Sequence, residues 1–386
     1  MKVAVIGAGA IGSALAEDLC ARDAITQVLI CDARHSALEE LHDRIQSPKM
    51  RSFQVDARDV NTIASIVRGS RCIISCVMPE YNYELAEMAV QLGSNYCDLG
   101  GDDRITEHVL SLGGPASRKS IWVVPNCGLA PGLVNILCMY GIHQFDSVKS
   151  ARLRVGAVPL EPKDPLNLTI PFSADQFIDK LSLPVTLIED GKLKHFEPLS
   201  GIEPIAFDAH DSPLEAFYSS GSLSTLPHDL LGKVETLDFK TVACPGLAQK
   251  MKFVIALGLT DRRHIDVRTH RTYRDVFVRQ LKRKTPENEP DVVLLRVSVT
   301  GVRDGETQTF VAKLHEEYDA TLKISAMKQC TAVSAAIVAE LLGSHQIAGG
   351  GAAPPEQIVP HKMYFDLLRE RGVKISSQWQ DAEVAA

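Results

Sequence analysis

The chain opens with MKVAVIGAGAIGSALAEDLC (residues 1–20), and this stretch decides how the first half folds. Residues 3–6 are entirely apolar, as in a strand that is buried on both faces of a parallel sheet. Gly7, Gly9 and Gly12 follow in a G-x-G-x-x-G spacing and open a segment with the composition of a helix. In this motif the first glycine makes a tight turn, the second lets the backbone approach a pyrophosphate, and the third lets the helix pack against the strand. The N–H groups at the start of the helix would face the phosphates, so the stretch predicts a dinucleotide site.

A second apolar run, QVLICDAR (residues 27–34), contains Asp32, which lies twenty residues after Gly12. An acidic residue at this distance accepts hydrogen bonds from the adenosine ribose hydroxyls. A carboxylate there repels a 2′-phosphate and favours NAD, whereas Arg34 could clamp such a phosphate or lie on the surface, so NADP stays open. The cofactor contacts expected from this part of the chain are Gly7, Ala8, Gly9, Ala10, Ile11, Gly12, Asp32, Ala33 and Arg34.

Strands and helices continue to alternate through the first third of the chain. Further strands are expected at 52–57, 72–79, 95–101 and 121–128, with helices near 36–46, 59–69, 82–93 and 104–119. Such alternation predicts an α/β unit, a Rossmann-type doubly wound parallel sheet. Ligands of these sheets bind beyond the carboxyl ends of the strands. The strand exits add further cofactor candidates, namely Asp56, Ala57, Val77, Met78, Pro79, Asn126, Cys127 and Gly128.

The second half has longer strands and a different architecture. Strands are expected at 150–159, 234–242 and 291–301, and residues 303–314 complete a hairpin through Asp304 and Gly305. We therefore expect an α+β domain with a mostly antiparallel sheet. The other expectations are loops over 163–232, a helix over 330–343, a linker over 349–357 and a loose tail after Ser376.

These patterns predict a dinucleotide-binding Rossmann domain over residues 1–128 and a catalytic and dimerisation α+β domain over 129–345. Residues 346–386 are expected to return to the Rossmann domain.

Composition excludes several classes of protein. The 386 residues carry a net charge of −7, which gives no basic footprint for nucleic acid. No apolar run approaches the ~18 residues of a membrane span, and residues 3–6 are too short for the apolar part of a signal peptide. The nine cysteines occur singly, without the spacing of a zinc site. We expect a cytoplasmic protein with reduced thiols, no bound metal, no nucleic-acid partner and no membrane contact.

Four longer motifs carry a resemblance to a known family. They are YCDLGG (96–101), PNCGLAPGLVNIL (125–137), LEAFYSSGSLSTLP (214–227) and the D-F-K-T stretch before Pro-Gly (238–246). With them the chain resembles the saccharopine dehydrogenase-like oxidoreductases from its first strand to VPHKM (359–363), and the branch it looks most like is L-lysine 6-dehydrogenase. The resemblance implies a homodimer and an NAD-dependent oxidation of the ε-amino carbon of lysine to the semialdehyde, which cyclises to a piperideine carboxylate.

The sequence departs from that branch at three places. Asn126 stands where the branch has Asp, and ACPGL (243–247) replaces Arg-Tyr-Pro-Gly-His. An Arg that usually precedes a Thr-Thr pair is replaced within MKQCTA (327–332). If these positions hold the substrate, they weaken the expectation that it is lysine, while the expected fold is unaffected.

Amine oxidation needs a proton acceptor beside the cofactor, which itself does the hydride chemistry. Asp98, at the exit of the fifth expected strand, is a candidate acid/base or amine anchor, or else a structural carboxylate that caps the following Gly-Gly turn. Tyr81 is a second catalytic candidate, with a packed rim aromatic as the alternative. Lys240, in the family's lysine-threonine pair, could hold a carboxylate or lie on the surface of its strand. The substrate candidates are Lys240, Thr241, Ser222, Ser224, Thr225 and Arg154.

Two other functions stay open. One is reductive C–N bond formation of the saccharopine reductase type, which the NAD preference read from Asp32 disfavours. The other is a non-catalytic redox sensor that binds the dinucleotide and signals through partners. The polar strand exits at Tyr81 and Asp98 argue against the sensor, because a protein that only binds the dinucleotide does not need them.

Overall fold

The computed structural model describes residues 1–170, 173–208, 210–266, 268–285 and 289–381. The chain forms two compact units, the first from residues 1–140 with 328–373 and the second from residues 141–327 with the strand that follows residue 373. The predicted domain divisions after residues 128 and 345 stay predictions.

The N-terminal part of the first unit alternates strands with helices. Its elements are β1 (Lys2–Ile6), α1 (Ala10–Cys20), β2 (Gln27–Asp32), α2 (His35–Arg44), β3 (Met50–Gln54), α3 (Val60–Val67), β4 (Cys72–Ser75), a 3-10 turn (Pro79–Tyr81), α4 (Asn82–Leu92), β5 (Asn95–Asp98), α5 (Asp103–Leu110), α6 (Gly113–Arg118), β6 (Trp122–Val124) and α7 (Leu133–Ile142). The helix expected over 104–119 is two helices, because Gly113, Gly114 and Pro115 favour a new helix start over continuation.

The second unit follows. Its elements are β7 (Ser147–Pro159), α8 (Ala174–Ser182), β8 (Val185–Glu189), β9 (Lys192–Phe196), β10 (Glu203–Phe207), β11 (His210–Phe217), α9 (Leu226–Leu230), β12 (Thr236–Ala243), α10 (Leu247–Ala256), α11 (Tyr273–Lys284), β13 (Asp291–Arg303) and β14 (Glu306–Glu317). The expectation that 163–232 forms loops is therefore wrong, since four short strands and two helices lie there.

The C-terminal elements are α12 (Ala326–Gly343), β15 (Gly351–Ala352), α13 (Pro355–Ile358), α14 (His361–Glu370) and β16 (Ile375–Asp381). Two expectations are corrected here. The supposed linker 349–357 holds β15 and most of α13. Of the tail expected to be loose after Ser376, residues 377–381 belong to β16, which pairs with β14, and residues 382–386 lie outside the described residues.

The first unit contains a seven-stranded parallel sheet in the order β15-β6-β5-β4-β1-β2-β3. The order reverses at β1, so the carboxyl ends of β1 and β4 flank the crevice where such folds bind ligands. This confirms the predicted Rossmann-type doubly wound sheet. β15 extends the sheet by pairing in parallel with β6.

The second unit contains a nine-stranded sheet. Seven of its strands follow the order β10-β11-β12-β7-β13-β14-β16, while β8 pairs with β12 and β9 pairs with β8. Within the described residues, β12 and β7 form the parallel pair and the other pairings are antiparallel. The predicted α+β domain with a mostly antiparallel sheet is confirmed, as is the β13–β14 hairpin through Asp304 and Gly305. None of the helices in the described part of the chain has the length and hydropathy that a bilayer crossing requires.

Candidate active site

The glycine turn after β1 has the close contacts that the motif demands. Gly7 has φ +104°, and a Cβ on it would lie 2.7 Å from the carbonyl oxygen of Cys76. A Cβ on Gly12 would lie 1.9 Å from the carbonyl oxygen of Gly7. Beside Gly9, by contrast, a Cβ would meet only one guanidinium nitrogen of Arg34, at 4.0 Å. Two glycines are thus required by packing, while Gly9 leaves open space for a phosphate to approach.

Helix α1 presents its N-terminus at this turn. Its N-cap is Gly9, which supplies no side-chain hydrogen bond, and its first turn, which includes Ala10 and Ile11, holds no acidic residue. The first N–H groups of a helix have no partner within the helix, and they favour an anion. The turn and the helix together fit the pyrophosphate of a dinucleotide.

Asp32 ends β2 next to this turn. Its Oδ2 accepts the Ala8 N–H at 2.7 Å, and its Oδ1 accepts the Arg34 N–H at 2.8 Å and the Arg34 Nε at 3.2 Å. Partial burial alone would raise the pKa of Asp32, but the hydrogen bonds from Arg34 and Ala8 hold it below its ordinary value. Asp32 is therefore an anion that ties the glycine turn to the end of β2, while Ala33 and Arg34 are exposed beside it.

The next strand exits bear the other candidates of this half of the sheet. Asp56 and Ala57 follow β3, and a hydrogen bond from the Arg58 side chain lowers the pKa of Asp56 to about 2. Val77 and Met78 follow β4, where Met78 is exposed. Pro79 is buried at the start of the 3-10 turn.

Asp98 is the last residue of β5 and is 1% exposed. Its Oδ2 accepts the Tyr96 hydroxyl at 3.1 Å, and its Oδ1 accepts the N–H groups of Gly100 at 2.8 Å and Asn126 at 3.1 Å. Burial raises the pKa of Asp98 to about 6, although these three hydrogen bonds act to lower it. The carboxyl group therefore changes charge close to neutral pH, as an acid/base group must.

Asn126 lies at the exit of β6, with φ +68° and no exposed surface. Its Oδ1 accepts the Thr106 hydroxyl at 3.3 Å, whereas its Nδ2 has no hydrogen-bond partner among the described residues. A Cβ on Gly100 would lie 2.1 Å from that Oδ1. A buried donor without a partner costs free energy unless a ligand satisfies it, so Asn126 fits a contact with the cofactor.

The two residues after Asn126 are held by backbone contacts. The N–H of Cys127 donates to the carbonyl of Asp98 at 2.7 Å, and its thiol is buried. A Cβ on Gly128 would lie 3.2 Å from the Pro131 carbonyl oxygen. The β5 and β6 exits are thus joined through both the backbone and the side chain of Asp98.

Tyr81 lies apart from the hydrogen bonds of Asp98. It ends the 3-10 turn, packs half-buried against the apolar core of the first unit, and acts electrostatically on Arg58. The phenol that contacts Asp98 is that of Tyr96, which the sequence analysis did not single out. The Tyr-x-Asp spacing could have revealed it, because residues two apart in a strand share a face.

In the second unit, Arg154 and Lys240 share one carboxylate. Arg154 Nε lies 2.7 Å from Glu203 Oε1, and Lys240 Nζ lies 2.5 Å from Glu203 Oε2. Arg154 also contacts Asp238 Oδ2 at 2.6 Å, and Lys240 lies 5.0 Å from the centroid of the Tyr218 ring. Both cations are almost fully buried and already paired with acidic side chains.

The other substrate candidates are spread around these cations. Thr241 follows Lys240 in β12, so the two side chains point to opposite faces of the sheet, and Thr241 Oγ1 lies 2.6 Å from Ser219 Oγ. Ser222 is buried, Ser224 has φ +49°, and Thr225 is the N-cap of α9. The structure brings Arg154 and Lys240 together but does not add Thr241 to them.

The ACPGL stretch (243–247) forms an apolar, capped start of α10. Ala243, Cys244 and Leu247 are buried in the apolar clusters of the second unit. The carboxylate of Glu215 accepts the N–H groups of Gly246 and Ala248, each at 2.9 Å, and so satisfies the helix N-terminus. The stretch serves packing where the lysine branch carries Arg, Tyr and His.

Comparisons with known proteins agree with this geometry. Residues 3–124 match the saccharopine dehydrogenase NADP binding domain, and residues 128–373 match the saccharopine dehydrogenase C-terminal domain. Carboxyaminopropylagmatine dehydrogenase from Synechocystis sp. is 22% identical over 156 residues, which are 38% of this chain and 39% of that protein.

Two solved structures share the fold over nearly the whole chain. Saccharopine dehydrogenase (L-Glu forming) from Saccharomyces cerevisiae superposes with a TM-score of 0.80 at 16% identity, over 98% of this chain and 99% of the other. Homospermidine synthase from Legionella pneumophila, solved in complex with NAD, gives a TM-score of 0.71 at 13% identity, over 98% of this chain and 91% of the other. The first unit is thus an NAD(P)-binding domain, and the chain belongs to the saccharopine dehydrogenase family of oxidoreductases.

Proposed function

We propose that this protein is an NAD(P)-dependent dehydrogenase that oxidises the carbon–nitrogen bond of an amino acid bearing an amine side chain. The observation that carries the proposal is Asp98, a buried carboxyl group at the exit of β5 in an NAD(P)-binding sheet, with a pKa raised by burial to about 6. Above that pH the group is ionised and can accept a proton. Asp98 is therefore already ionised at the pH where amines begin to lose their protons.

The bound dinucleotide supplies the hydride acceptor of the reaction. The protein has to bind the substrate, exclude water from the reacting carbon and take up the proton that the nitrogen releases. Asp98 Oδ2 is the proton acceptor in this proposal. Water then adds to the imine, ammonia is released, and the product is a semialdehyde.

L-lysine, oxidised at its ε-carbon, is the first substrate to test, because the YCDLGG, GLAPG and LSTLP motifs resemble the lysine 6-dehydrogenase branch. The apolar packing of ACPGL (243–247) weighs against lysine being held as in that branch. We propose Arg154 and Lys240 as the cations that meet a substrate carboxylate, with Thr241, Ser222, Ser224 and Thr225 as neutral contacts, and a homodimer as the assembly.

A second candidate is the reductive formation of a C–N bond between an aldehyde or keto acid and an amine. The names of three similar proteins support it, since saccharopine, homospermidine and carboxyaminopropylagmatine are all secondary amines. We propose NAD as the preferred cofactor, because Asp32 places a carboxylate beside the glycine turn. Arg34, paired with Asp32, keeps NADP as the second cofactor to test.

The test is spectrophotometric. Purified protein is mixed with NAD or NADP and a panel of L-lysine, L-ornithine, saccharopine and agmatine-derived secondary amines, and reduced cofactor is followed at about 340 nm. The reverse assay supplies reduced cofactor with α-keto acids and each amine. Turnover that Asp98→Asn abolishes supports the proposal, and the active substrate separates the two candidates. Tight dinucleotide binding without turnover in either direction would overturn both and favour a sensor.

A further inference from the structure

A chain of hydrogen bonds runs behind Asp98 through buried side chains of the first unit. The Tyr96 hydroxyl donates to Asp98 Oδ2 at 3.1 Å, and the same phenol hydrogen-bonds with Ser75. Because the phenol donates to Asp98, it can only accept from Ser75, whose single hydroxyl proton is shared between the phenol oxygen and Asn82 Oδ1, 2.7 Å from Ser75 Oγ. None of these four residues is more than 3% exposed, so water does not compete for these bonds.

Regular secondary structure fixes the positions of these hydrogen-bonded side chains. β4 and β5 pair in parallel with Ser75 opposite Asp98 and Ile73 opposite Tyr96. Tyr96 and Asp98 are two residues apart in one strand and therefore share a face. Asn82 is the first residue of α4. The phenol consequently approaches the carboxylate from rigid elements rather than from a loop.

The two oxygen atoms of Asp98 are occupied unequally. Within the part of the chain that the structure describes, Oδ1 accepts two backbone N–H groups, from Gly100 and Asn126, whereas Oδ2 accepts only the hydroxyl of Tyr96. A carboxylate oxygen offers two lone pairs. Oδ2 therefore keeps one lone pair for an incoming proton, and Oδ1 does not.

We propose that Tyr96 is a positioning residue for the reaction: its phenol, which lies beside Ser75 on the neighbouring strand, fixes Asp98 Oδ2 and stabilises the ionised carboxylate that accepts the proton. This inference rests on the proposed function, since it assigns the proton to an atom of the same group. Burial raises the pKa of Tyr96 itself, so the phenol stays a donor at neutral pH. Among the described residues, the other titratable groups that act electrostatically on Asp98 are the thiols of Cys76, Cys97 and Cys127, of which Cys97 lies on the opposite face of β5.

The experiment compares Tyr96→Phe with a matched loss of a buried phenol. Tyr364 is equally buried in the same unit, and its hydroxyl lies 2.7 Å from Ser334 Oγ, so Tyr364→Phe is the control. Two quantities are measured on the full chain. One is the titration of the Asp98 carboxyl by carbon NMR of protein labelled at the aspartate side-chain carbon, assigned with Asp98→Asn. The other is the acid limb of kcat/KM for the amine substrate.

Removing a hydrogen bond to the ionised form raises a carboxyl pKa, so we expect Tyr96→Phe to move both quantities up by about one pH unit. Tyr364→Phe leaves both unchanged. An Asp98 titration in Tyr96→Phe that coincides with the wild type overturns the inference. The inference is also overturned if Tyr96→Phe shifts the Asp98 titration but leaves the acid limb of kcat/KM unchanged. That result would show that Asp98 is not the proton acceptor of the reaction.

Two further arms keep the test decisive. If Tyr96→Phe does not fold, Ser75→Ala removes the hydroxyl behind the phenol, and we expect a smaller shift of the Asp98 titration in the same direction. An unmoved titration there overturns the inference. If the wild type oxidises none of the amines, the proposed function fails. The NMR titration, which needs no substrate, still decides whether the phenol stabilises the ionised Asp98.

Discussion

A Cβ atom on Gly12 would lie 1.9 Å from the carbonyl oxygen of Gly7, which is well inside the contact distance of the two atoms. The third glycine of the motif thus sits directly against the backbone of the first. Gly9 lies between them with open space beside it and with φ −74°, a conformation that any residue adopts. Gly7 and Gly12 are therefore required by packing and Gly9 is not, so substitutions can distinguish the two roles.

The first prediction contrasts Gly12→Ala with Gly9→Ala. Gly12→Ala forces α1 away from β1, and we expect it to lower the free energy of unfolding by about 3 kcal/mol. Gly9→Ala fits the fold, with a change within about 0.5 kcal/mol, but its methyl group occupies the space expected for a phosphate. We expect it to weaken NAD(P) binding about tenfold or more. Urea unfolding and calorimetric titration with the dinucleotide check the pair. Equal binding by Gly9→Ala and the wild type would contradict the assigned site.

The second prediction concerns the pH dependence of Asp98. Its folded pKa is about 6, above the unfolded value of about 3.9. A carboxyl with a raised folded pKa stabilises the fold below the unfolded pKa, and this contribution is lost as the pH rises through about 6. Asp98→Asn does not titrate, so its stability relative to the wild type should rise by on the order of 2 kcal/mol between about pH 4 and pH 7. Urea unfolding across this range measures the difference.

The same variant should lose activity for a chemical reason. With no proton acceptor at this position, kcat/KM is expected to fall at least about a hundredfold, while the affinity for the dinucleotide stays near that of the wild type. In the wild type, kcat/KM should fall below about pH 6, as Asp98 becomes protonated. A flat profile between about pH 5 and pH 8 would assign the proton transfer to another group.

The third prediction concerns cofactor preference at Asp32 and Arg34. Asp32 holds the Arg34 guanidinium and also repels a 2′-phosphate. Asp32→Asn removes the repulsion and loosens Arg34, so the ratio of NADP to NAD affinity should rise at least about tenfold. Arg34→Ala is the matched opposite and should lower the NADP affinity while leaving the NAD affinity unchanged. The measurement is the dissociation constant of each cofactor for both variants. If the ratio of NADP to NAD affinity is unchanged in both, Asp32 and Arg34 do not select the cofactor.

An element of the fold could be predicted from the sequence where a pattern of a few neighbouring residues indicates it. The glycine turn, the strand alternation and the Asp304–Gly305 hairpin are encoded within a few residues, and all were predicted. The strands β8 to β11 were missed although they form two local hairpins, β8–β9 and β10–β11. The first turns through Asp190 and Gly191, a dipeptide of the same kind as Asp304–Gly305, so its signal was present and was overlooked. The two-residue strand β15 exists only through its pairing with β6.

The candidate site divides in the same way. Asp98 was found because it ends an apolar strand, and Tyr96 could have been found from its two-residue spacing. The period of two in a strand also shows that Lys240 and Thr241 point to opposite faces. In contrast, Asn126 contacts Thr106, and Glu203 contacts Arg154, across distant parts of the chain. No pattern of neighbouring residues predicts these contacts.

The fourth prediction concerns the carboxylate that Arg154 and Lys240 share. Burial opposes the ionisation of Glu203, but the hydrogen bonds and charges of the two cations hold its pKa below the ordinary value. Its stabilising effect is therefore present above about pH 4.3 and is lost as the pH falls through the lowered pKa. Glu203 is partly exposed, which screens the pair, so Glu203→Gln should cost about 1–2 kcal/mol at neutral pH.

A double variant tests whether this cost comes from an uncompensated cation. Glu203→Gln combined with Lys240→Met removes one charge of each sign and should be more stable than the sum of the single effects by about 1 kcal/mol. Strict additivity would show that the ion pair contributes nothing measurable. The same variants test the proposed substrate contact, because Glu203→Gln releases Lys240 from its carboxylate and leaves Arg154 paired with Asp238 alone. KM should then fall in Glu203→Gln and rise in Lys240→Met; if KM is the same in both variants and the wild type, the substrate carboxylate binds elsewhere.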